Sequence, residues 1–461
     1  MLPLFHRILC CSSTRDSFCT SLRRCCYQYR VAGRRAKSTQ PAESPTYQRY
    51  RNVEYVDRYC PGGYHPINVN DKLNQRYHIV DKLGQGGYST IWLARDQKLN
   101  KYVAVKVGTA DQVSKEREIL LKLAGNPTNG FSGHLIIQVL DHFTLRGPNG
   151  THPCIVTAPA RCSVAESIKT SRYNSFRLEV VRALSAQLIM ATAYVHGAGF
   201  VHGDIHLRNV LLQLPGSEID QLSIQQVYEK YYEPEPYPVA RTDGQPVTST
   251  SVPKNVYRPN WLGKQSDEVL LPEAKLWLAD FGTAFNPSQE TRLVSYTHLQ
   301  NRPPEAKFDP TKPLTFSSDI WSLGLMVWEV MSDGPFMSSF LFNWDEVIAD
   351  QVDALGSLPR EWWEKWEAKL NEFEENGQPK GQREHWSLER RFHMNIQDPR
   401  MEEGTEQMDN DESHAFLDMI KGMLRFRPEE RLTADQVLRS EWMSKWALPL
   451  VEKAWERKLL D

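Results

Sequence analysis

The sequence has no strong charge imbalance, no long apolar run and few cysteines outside its beginning. Its 461 residues include 55 lysines and arginines against 57 aspartates and glutamates, a net charge of −2, so we expect no direct binding to nucleic acid. No run approaches the roughly 18 consecutive apolar residues that cross a bilayer, so we expect no transmembrane segment. Beyond residue 40 only Cys60, Cys154 and Cys162 occur, which predicts free thiols in a reducing compartment rather than a disulfide framework.

The first 40 residues differ in composition from the rest of the chain. They hold eight arginines and lysines and a single acid, Asp16, with frequent serine and threonine. A mitochondrial transit peptide has this composition, and so does a disordered basic tail. Palmitoylation at the cysteine pairs is a third interpretation. We therefore treat residues 1–45 as a basic or transit-like tail outside the fold.

Strand patterns precede helix patterns along the chain, which predicts an α+β protein with a small β-rich lobe and a larger helical lobe. An irregular lead-in over residues 46–76 comes before the β-rich region, residues 77–159. Residues 160–450 are helical in pattern, and 451–461 form a C-terminal tail. Residues 213–272 interrupt the helical region with sequence rich in Pro, Ser, Thr and Gly. Such composition cannot build its own core, so we expect a flexible spacer there.

A glycine-rich turn joins the first two predicted strands, with the sequence Leu-Gly-Gln-Gly-Gly-Tyr-Ser-Thr-Ile. Glycines between strands let the backbone approach a ligand closely, and its N–H groups can bond phosphate oxygens. A plain hairpin turn would carry the same glycines. The residues that we expect to contact a nucleotide here are Leu83, Gly84, Gln85, Gly86, Gly87, Tyr88, Ser89 and Ile91.

Lys106 ends the next buried strand, Val-Ala-Val-Lys. Its amine could reach the α- and β-phosphates of a nucleotide, and it needs a carboxylate to hold it. On the following predicted helix, residues 111–124, we assign that role to Glu118, because Glu116 lies two positions away and would point elsewhere. An isolated lysine at this position could also be a solvated edge residue.

Two further segments carry oxygen ligands at strand ends. In His-Gly-Asp-Ile-His-Leu-Arg-Asn, Asp204 can accept the proton of an attacking hydroxyl, and Asn209 can hold a magnesium ion. In Leu-Trp-Leu-Ala-Asp-Phe-Gly, Asp280 ends a short strand and is the expected principal metal ligand. Each match alone could be structural. Together with the glycine-rich turn and Lys106, they follow the order of a phosphoryl-transfer site.

On these motifs, the region from Tyr77 to Trp446 resembles a eukaryotic protein kinase, and it is most similar to the SR-protein kinases and their fungal relatives. Ser89, at the third glycine position of the loop, supports the narrower resemblance. The approach segment Gly-Tyr-His-Pro at residues 63–66 supports it too. The spacer between the Asp204 loop and the Asp-Phe-Gly motif is the third shared feature.

This resemblance implies a bilobal protein-kinase fold with an N-lobe over residues 77–159 and a C-lobe over residues 160–450. It implies a monomeric serine/threonine protein kinase that uses ATP and Mg²⁺. The implied substrates are Arg/Ser-rich proteins linked to mRNA processing. The implied location is cytoplasm and nucleus, and the Arg-rich N-terminus makes the mitochondrion the alternative.

Further residue roles also come from the resemblance alone. It implies nucleotide contacts from Ala104, from Thr157 as gatekeeper and from Ala160 in the hinge. It implies structural roles for Asp319, which anchors the catalytic loop, and for an ion pair between Glu305 and Arg431.

Two positions depart from the family pattern. Gly203 replaces the arginine that usually precedes Asp204, so we expect little dependence on phosphorylation at Ser288, Thr291, Ser295 or Thr297. His206 replaces the catalytic-loop lysine, and losing a fixed charge there would lower the rate about 10- to 1000-fold. Two alternatives therefore stay open: a small-molecule phosphotransferase of the aminoglycoside or choline kinase type, and a pseudokinase scaffold.

Overall fold

The structure, a computed structural model, describes residues 47–125, 131–172, 175–337, 343–375, 377–380 and 385–456. The predicted tail over residues 1–45, with its transit-peptide and palmitoylation interpretations, lies outside these ranges. So do residues 457–461 of the predicted C-terminal tail.

A six-stranded antiparallel sheet forms the N-lobe, in the spatial order β1-β2-β3-β4-β6-β5. Its β-branched and aromatic residues form one apolar cluster that includes Tyr77, Trp92 and Val105. The strands are β1 Lys72–Leu73, β2 Tyr77–Gly86, β3 Ser89–Asp96, β4 Lys101–Gly108, β5 Asp141–Gly147 and β6 Gly150–Thr157. The glycine-rich turn is the hairpin between β2 and β3, and Lys106 on β4 pairs with Ile91 and Ile155.

A single helix, α1 Glu116–Ala124, belongs to the N-lobe side of the site. It begins five residues later than the predicted helix at 111. Its buried apolar face consists of Ile119, Leu120 and Leu123. These residues join the large apolar core of the C-lobe, so α1 links the two lobes.

The C-lobe is mostly helical. Its helices are α2 Val164–Thr170, α3 Leu178–Gly197, α4 Gly216–Ile219, α5 Ile224–Tyr231, α6 Glu305–Phe308, α7 Phe316–Met331, α8 Trp344–Leu355, α9 Arg360–Lys365, α10 Lys369–Glu372, α11 Leu388–Phe392, α12 Asp398–Glu402, α13 Asn410–Met423, α14 Ala434–Leu438 and α15 Leu448–Trp455. The described residues also form the strands β7 Ala160–Ser163, β8 Val210–Gln213, β9 Pro236–Pro238, β10 Asn255–Tyr257 and β11 Leu276–Leu278.

Helices α3 and α7 occupy the centre of the C-lobe. Trp321 and Trp328 of α7 are fully buried, as expected for a helix that is apolar nearly all round. Helix α3 has the length and composition of a membrane span, but 89% of its most apolar window is buried inside the fold. Its apolar character is therefore explained by its place in the core.

The C-terminal tail predicted from residue 451 is wrong for the described part of that segment. Helix α15 continues through it to Trp455, and Val451 and Ala454 are buried. The Trp455 indole Nε1 donates a hydrogen bond to Gln187 Oε1 at 3.1 Å on α3. The segment therefore belongs to the C-lobe.

The insert over residues 213–272 is folded, which corrects the prediction of a flexible spacer. Val227 and Tyr231 of α5 pack with Val80, Leu93 and Tyr102 of the N-lobe. Helix α4 and the β9–β10 hairpin are further ordered parts of the insert. The insert is ordered without a core of its own because its apolar side chains pack on apolar surface supplied by the N-lobe.

Candidate active site

Lys106 is held between two carboxylates. Its Nζ lies 2.8 and 2.7 Å from the two oxygens of Glu116 and 2.9 Å from Oδ1 of Asp280. The partner predicted from the sequence, Glu118, is exposed on α1. The assignment of Glu118 is therefore wrong, and Glu116 takes its place.

The helix register explains why Glu116 is the partner. Because α1 begins at Glu116, the side chains three, four and seven positions further on share its face. Those side chains are the buried Ile119, Leu120 and Leu123. Glu118 lies two positions away, outside this stripe. The apolar spacing was visible in the sequence and would have identified Glu116.

The carboxylates set the charge of Lys106. Burial alone would lower the pKa of the Lys106 amine, but the negative charges of Asp280 and Glu116 outweigh burial and raise that pKa. In return, the Lys106 ammonium holds the pKa of Asp280 well below its ordinary value. The ammonium and the Asp280 carboxylate therefore both remain charged at neutral pH.

A second, three-stranded sheet brings Asn209 beside Asp280. Its order is β11-β8-β7, and Leu278 of β11 pairs with Val210 of β8. Directly after β11 and directly before β8, the amide N of Ala279 donates to the carbonyl O of Asn209 at 2.9 Å. Asn209 and Asp280 thus stand at the same end of this antiparallel pair.

Asp280 has a left-handed backbone, with φ 62°. Few non-glycine residues adopt this conformation, and those that do cluster at functional sites. The next residue, Phe281, is fully buried and packs edge-on against His202 with ring centroids 4.7 Å apart. The turn after β11 therefore fixes the Asp280 carboxylate at the Lys106 amine.

Asp204 presents a carboxylate oxygen with no internal partner. Its Oδ1 is buried and accepts no hydrogen bond from the residues that the structure describes. Its carbonyl O accepts a 3.0 Å hydrogen bond from Asn209 Nδ2, which fixes the orientation of that amide. Buried polar oxygens normally have a donor. The Asp204 side chain as a whole is 22% exposed, so a substrate hydroxyl can still reach its carboxylate.

Asp319 anchors the loop that carries Asp204. Its carboxylate accepts hydrogen bonds from the backbone N–H groups of His202 at 2.7 Å and Gly203 at 2.9 Å. His196 Nε2 lies 3.0 Å from the same carboxylate. Burial opposes ionisation of Asp319, but His196 and these donors keep its pKa below the ordinary value. The structural role implied for Asp319 is confirmed.

Gly203 suits the geometry at the position where the family pattern has arginine. Its φ is +79°, in the left-handed region that favours glycine. A Cβ at this position would lie 3.1 Å from the carbonyl O of Thr283. An arginine at this position would have a strained backbone and a tight contact with Thr283.

His206 lies beside the carboxylate of Asp204, with 3.5 Å between Nε2 and Oδ2. Its ring centroid is 5.9 Å from that of His298. Its Nδ1 is buried and has no hydrogen-bond partner among the described residues. The structure thus places His206 at the reaction centre, next to the predicted base.

Most of the predicted nucleotide contacts lie on the β2–β3 hairpin. Gly86, Gly87 and Tyr88 at its tip are exposed, whereas Leu83, Gly84, Gln85 and Ile91 are half-buried and Ser89 is buried. Ala104 pairs with Leu93 on one side and with Thr157 on the other. Ala160 begins β7, directly after the strand that ends at Thr157. The nucleotide contacts implied for Thr157 and Ala160 stay predictions.

The ion pair implied between Glu305 and Arg431 is present. Arg431 Nη1 and Nη2 lie 2.9 and 2.6 Å from the two carboxylate oxygens of Glu305. Both residues are buried, and a buried two-point pair of this kind fixes geometry more than it adds stability. It ties the end of the segment after Asp280 to the C-lobe.

The oxygen ligands fit a hard divalent cation. Within the described ranges, no group of three or more His, Cys, Asp or Glu side chains could hold a metal alone. Asp280 and Asn209 supply one carboxylate and one amide oxygen, and Asn209 Nδ2 is already committed to Asp204. Magnesium is usually bound by one or two protein oxygens together with substrate phosphates and water. The two side chains therefore suit a cation that arrives with a nucleotide.

Comparison with known proteins identifies a matching family. The family model described as "Protein kinase domain" matches residues 77–221 and 264–443. The residues between these stretches, 222–263, belong to the insert. Every predicted catalytic and metal-binding residue lies within the matched stretches.

Several curated proteins are similar in sequence. The chain is 38% identical over 167 residues to serine/threonine-protein kinase spk-1 of Caenorhabditis elegans, which covers 35% of this chain and 17% of that relative. It is 25% identical over 399 residues to a serine/threonine protein kinase of Aspergillus fumigatus. That alignment covers 85% of this chain and 90% of the relative. It is 27% identical over 418 residues to serine/threonine-protein kinase SRPK of Physarum polycephalum. That alignment covers 85% of this chain and 91% of the relative.

A crystal structure of a kinase domain shares the fold. It superposes with a TM-score of 0.56 at 19% identity, and the match covers 82% of this chain and 98% of that chain. The predicted bilobal α+β fold is thereby confirmed.

Proposed function

The chain belongs to the protein kinase family, and on that basis we propose that it transfers the γ-phosphate of ATP to serine and threonine hydroxyls of Arg/Ser-rich proteins. Members of this family use ATP and a divalent metal ion. We propose Mg²⁺ as that ion, since the available ligands are hard oxygens.

One observation carries this proposal: Lys106 is paired with Glu116 and lies 2.9 Å from Asp280. The pairing places a fixed positive charge where nucleotide phosphates would bind, next to a carboxylate that can hold their metal ion. A kinase needs both groups in place at once. A scaffold without catalytic activity does not require this arrangement of Lys106, Glu116 and Asp280.

The chain's own residues account for the remaining steps. Asp204 orients the substrate hydroxyl and accepts its proton on the side-chain carboxylate. Lys106 orients the α- and β-phosphates through two charge-assisted contacts. Asp280 and Asn209 would hold Mg²⁺, which neutralises phosphate charge when bound. His206 stands beside Asp204 where the family has lysine, and in neutral form it brings less positive charge to the transferred group.

The substrate class rests on likeness to kinases. The curated relatives include proteins named as SR-protein kinases, among them SRSF protein kinase 3 of Homo sapiens, 33% identical over 172 residues. The Glu305–Arg431 pair belongs to a segment that the family uses for protein substrates. We therefore propose Arg/Ser-rich proteins of mRNA processing and do not favour small alcohols.

The test is transfer of ³²P from γ-labelled ATP to an Arg-Ser repeat peptide, a scrambled peptide and small alcohols such as choline. We expect labelling of the Arg-Ser peptide that depends on Mg²⁺ and is lost in Asp204→Ala and Lys106→Met. His206→Lys should raise the turnover number about tenfold if a missing charge limits the rate. Absence of transfer by both wild type and His206→Lys would contradict kinase activity, and preferential labelling of alcohols would contradict the substrate class.

For the cellular location we propose cytoplasm and nucleus, with the mitochondrion as the alternative that the Arg-rich N-terminus suggests. Fluorescence imaging of the full chain and of a variant without residues 1–40 tests this. Mitochondrial signal that disappears with the deletion would favour the alternative. The monomeric state stays a prediction, to be tested by light scattering.

A further inference from the structure

The tip of the glycine-rich loop is bound by side chains that precede the matched kinase region. The Tyr64 hydroxyl donates a 2.7 Å hydrogen bond to the carbonyl O of Gly86. Arg58 donates from Nη1 to the carbonyl O of Gly87. Both carbonyls belong to exposed residues, so these contacts reach the part of the loop with the most conformational freedom.

Arg58 is itself held in place. Its guanidinium carbon lies 5.0 Å from the ring centroid of Tyr64 and 5.8 Å from that of Tyr88. Its Nη2 lies 4.0 Å from a carboxylate oxygen of Asp111. Cation–π contacts of this kind orient a guanidinium at the protein surface. Arg58 therefore bridges the lead-in, the loop tip and the segment after β4.

We call residues 47–67 the strap. A buried ion pair fixes it to β2: Glu54 contacts Lys82 Nζ, and both side chains are at most 1% exposed. The Tyr59 hydroxyl donates to the other oxygen of Glu54. Breaking such a pair leaves an uncompensated buried charge. Lys82 directly precedes the glycine-rich loop, so the strap is anchored at the base of the loop as well as at its tip.

The turn between Arg58 and Tyr64 depends on glycine. A Cβ on Gly63 would lie 1.8 Å from the carbonyl O of Arg58. The carbonyls of Gly62 and Gly63 accept hydrogen bonds from the amides of Asp111 and Ala110 at 2.7 and 3.1 Å. The strap is thus tied to the end of β4 through its backbone, which sets the direction of Arg58 and Tyr64.

The insert packs against the strap. Val252 and Val256 of the insert form one apolar cluster with Val56, Tyr59 and Tyr64 of the strap. The buried Asn149 amide donates at 2.7 Å to the carbonyls of both Tyr64 and Ser251. The strap and residues 222–263 both lie outside the matched kinase stretches. Two added segments thus converge on one face of the N-lobe.

We propose that the strap is a positioning element of the nucleotide site, in which Arg58 and Tyr64 hold the glycine-rich loop in its phosphate-binding arrangement before nucleotide arrives. The inference rests on the proposed kinase function. Glycines give the loop large conformational freedom, and ordering it costs free energy on binding. A protein that populates the competent loop only in part binds correspondingly more weakly. The strap raises that population in the free protein.

The experiment uses full-length Arg58→Ala, Tyr64→Phe and the double variant. The matched controls are Arg51→Ala and Tyr55→Phe, which change the same residue types at exposed positions of the strap. Two quantities are measured: hydrogen exchange of the peptide covering residues 84–88 without nucleotide, and the dissociation constant for a non-hydrolysable ATP analogue with Mg²⁺. Melting temperatures and exchange in α7 report whether the global fold is intact.

In the double variant we expect loop exchange about tenfold faster and an ATP-analogue dissociation constant about tenfold higher, with α7 exchange unchanged. The KM for ATP should rise while the KM for peptide stays near wild type, a split that general destabilisation would not produce. Tyr64→Phe retains the ring, so it serves if Arg58→Ala does not fold. Wild-type loop exchange and affinity in both Tyr64→Phe and Arg58→Ala would overturn the strap proposal. Failure of wild type to bind the analogue would overturn the kinase proposal, and the exchange measurement would still decide whether the strap orders the loop.

Discussion

At the scale of single residues, the partner of Lys106 is the side chain with the clearest consequence. Glu116 holds the Lys106 amine with both carboxylate oxygens, whereas Glu118 is exposed. We expect Glu116→Gln to lower kcat/KM about 100-fold, because the amine loses the charge that orients it toward the phosphates. Steady-state phosphorylation of an Arg-Ser peptide measures this.

Glu118→Gln is the matched control for that prediction. The substitution is chemically identical and lies on the same helix, and we expect activity within about twofold of wild type. Equal losses in the two variants would contradict the assignment of Glu116. So would a larger loss in Glu118→Gln.

The residues of the site differ in how far they could be predicted from the sequence. Asp204, Asn209 and Asp280 lie in short motifs that can be recognised from local sequence alone. The structure brings Asn209 and Asp280 to the same end of one strand pair. Glu116 could also have been identified, because the spacing of Ile119, Leu120 and Leu123 places it on the buried face of α1. Arg58 and Tyr64 act through contacts with loop carbonyls, for which local sequence carries no signal.

At the scale of elements, an ion-pair network joins the segment after Asp280 to helix α1. Glu290 lies 3.1 Å from Lys115 Nζ and 2.7 Å from Arg292 Nη2. Lys115 directly precedes Glu116, the partner of Lys106. A carboxylate therefore already occupies a place where a phosphate group could link these elements. The expectation that phosphorylation of Ser288, Thr291, Ser295 or Thr297 has little effect stays a prediction.

We expect Glu290→Ala to lower kcat two- to fivefold at low salt, because an exposed pair is worth up to about 1 kcal/mol. The loss should shrink at about 0.5 M salt, where screening weakens surface charges. Ser288→Ala and Thr291→Ala serve as controls and should retain wild-type rates. A large loss in either control, or a salt-independent effect of Glu290→Ala, would contradict this account.

The insert shows the limit of composition as a guide to an element. Its Pro- and Thr-rich sequence offers too few apolar side chains for an independent core, and that inference about the segment in isolation stands. Its scattered apolar residues, Val227, Val252, Val256 and Leu262, instead pack on β-strands and on the strap. Such docking is tertiary, and no pattern within the insert encodes the surface that receives it.

At the scale of the whole molecule, the strap, the N-lobe and the insert pack together, and a buried aspartate, Asp81, lies where the insert meets the N-lobe. Asp81 is 1% exposed and accepts a 2.6 Å hydrogen bond from Asn260 Nδ2 of the insert. The backbone N–H of Asn260 also donates a hydrogen bond to the carbonyl O of Lys82 at 2.7 Å. The junction between insert and N-lobe therefore contains a buried ionisable group, which links its stability to pH.

Burial raises the pKa of Asp81 to about 6, against the opposing effects of Asn260 and the Lys82 amide. An unfolded aspartate titrates near about 3.9, so between these two values the folded state binds more protons. The contribution of Asp81 is fully present below about pH 4 and is lost as pH rises through about 6, a total decline of roughly 3 kcal/mol. Asp81→Asn cannot ionise and escapes this decline. In thermal unfolding between about pH 4.5 and 7.5, the melting temperature of the variant minus that of wild type should therefore increase with pH. A difference that stays constant across the range would show that Asp81 ionises in the folded protein as it does in the unfolded chain.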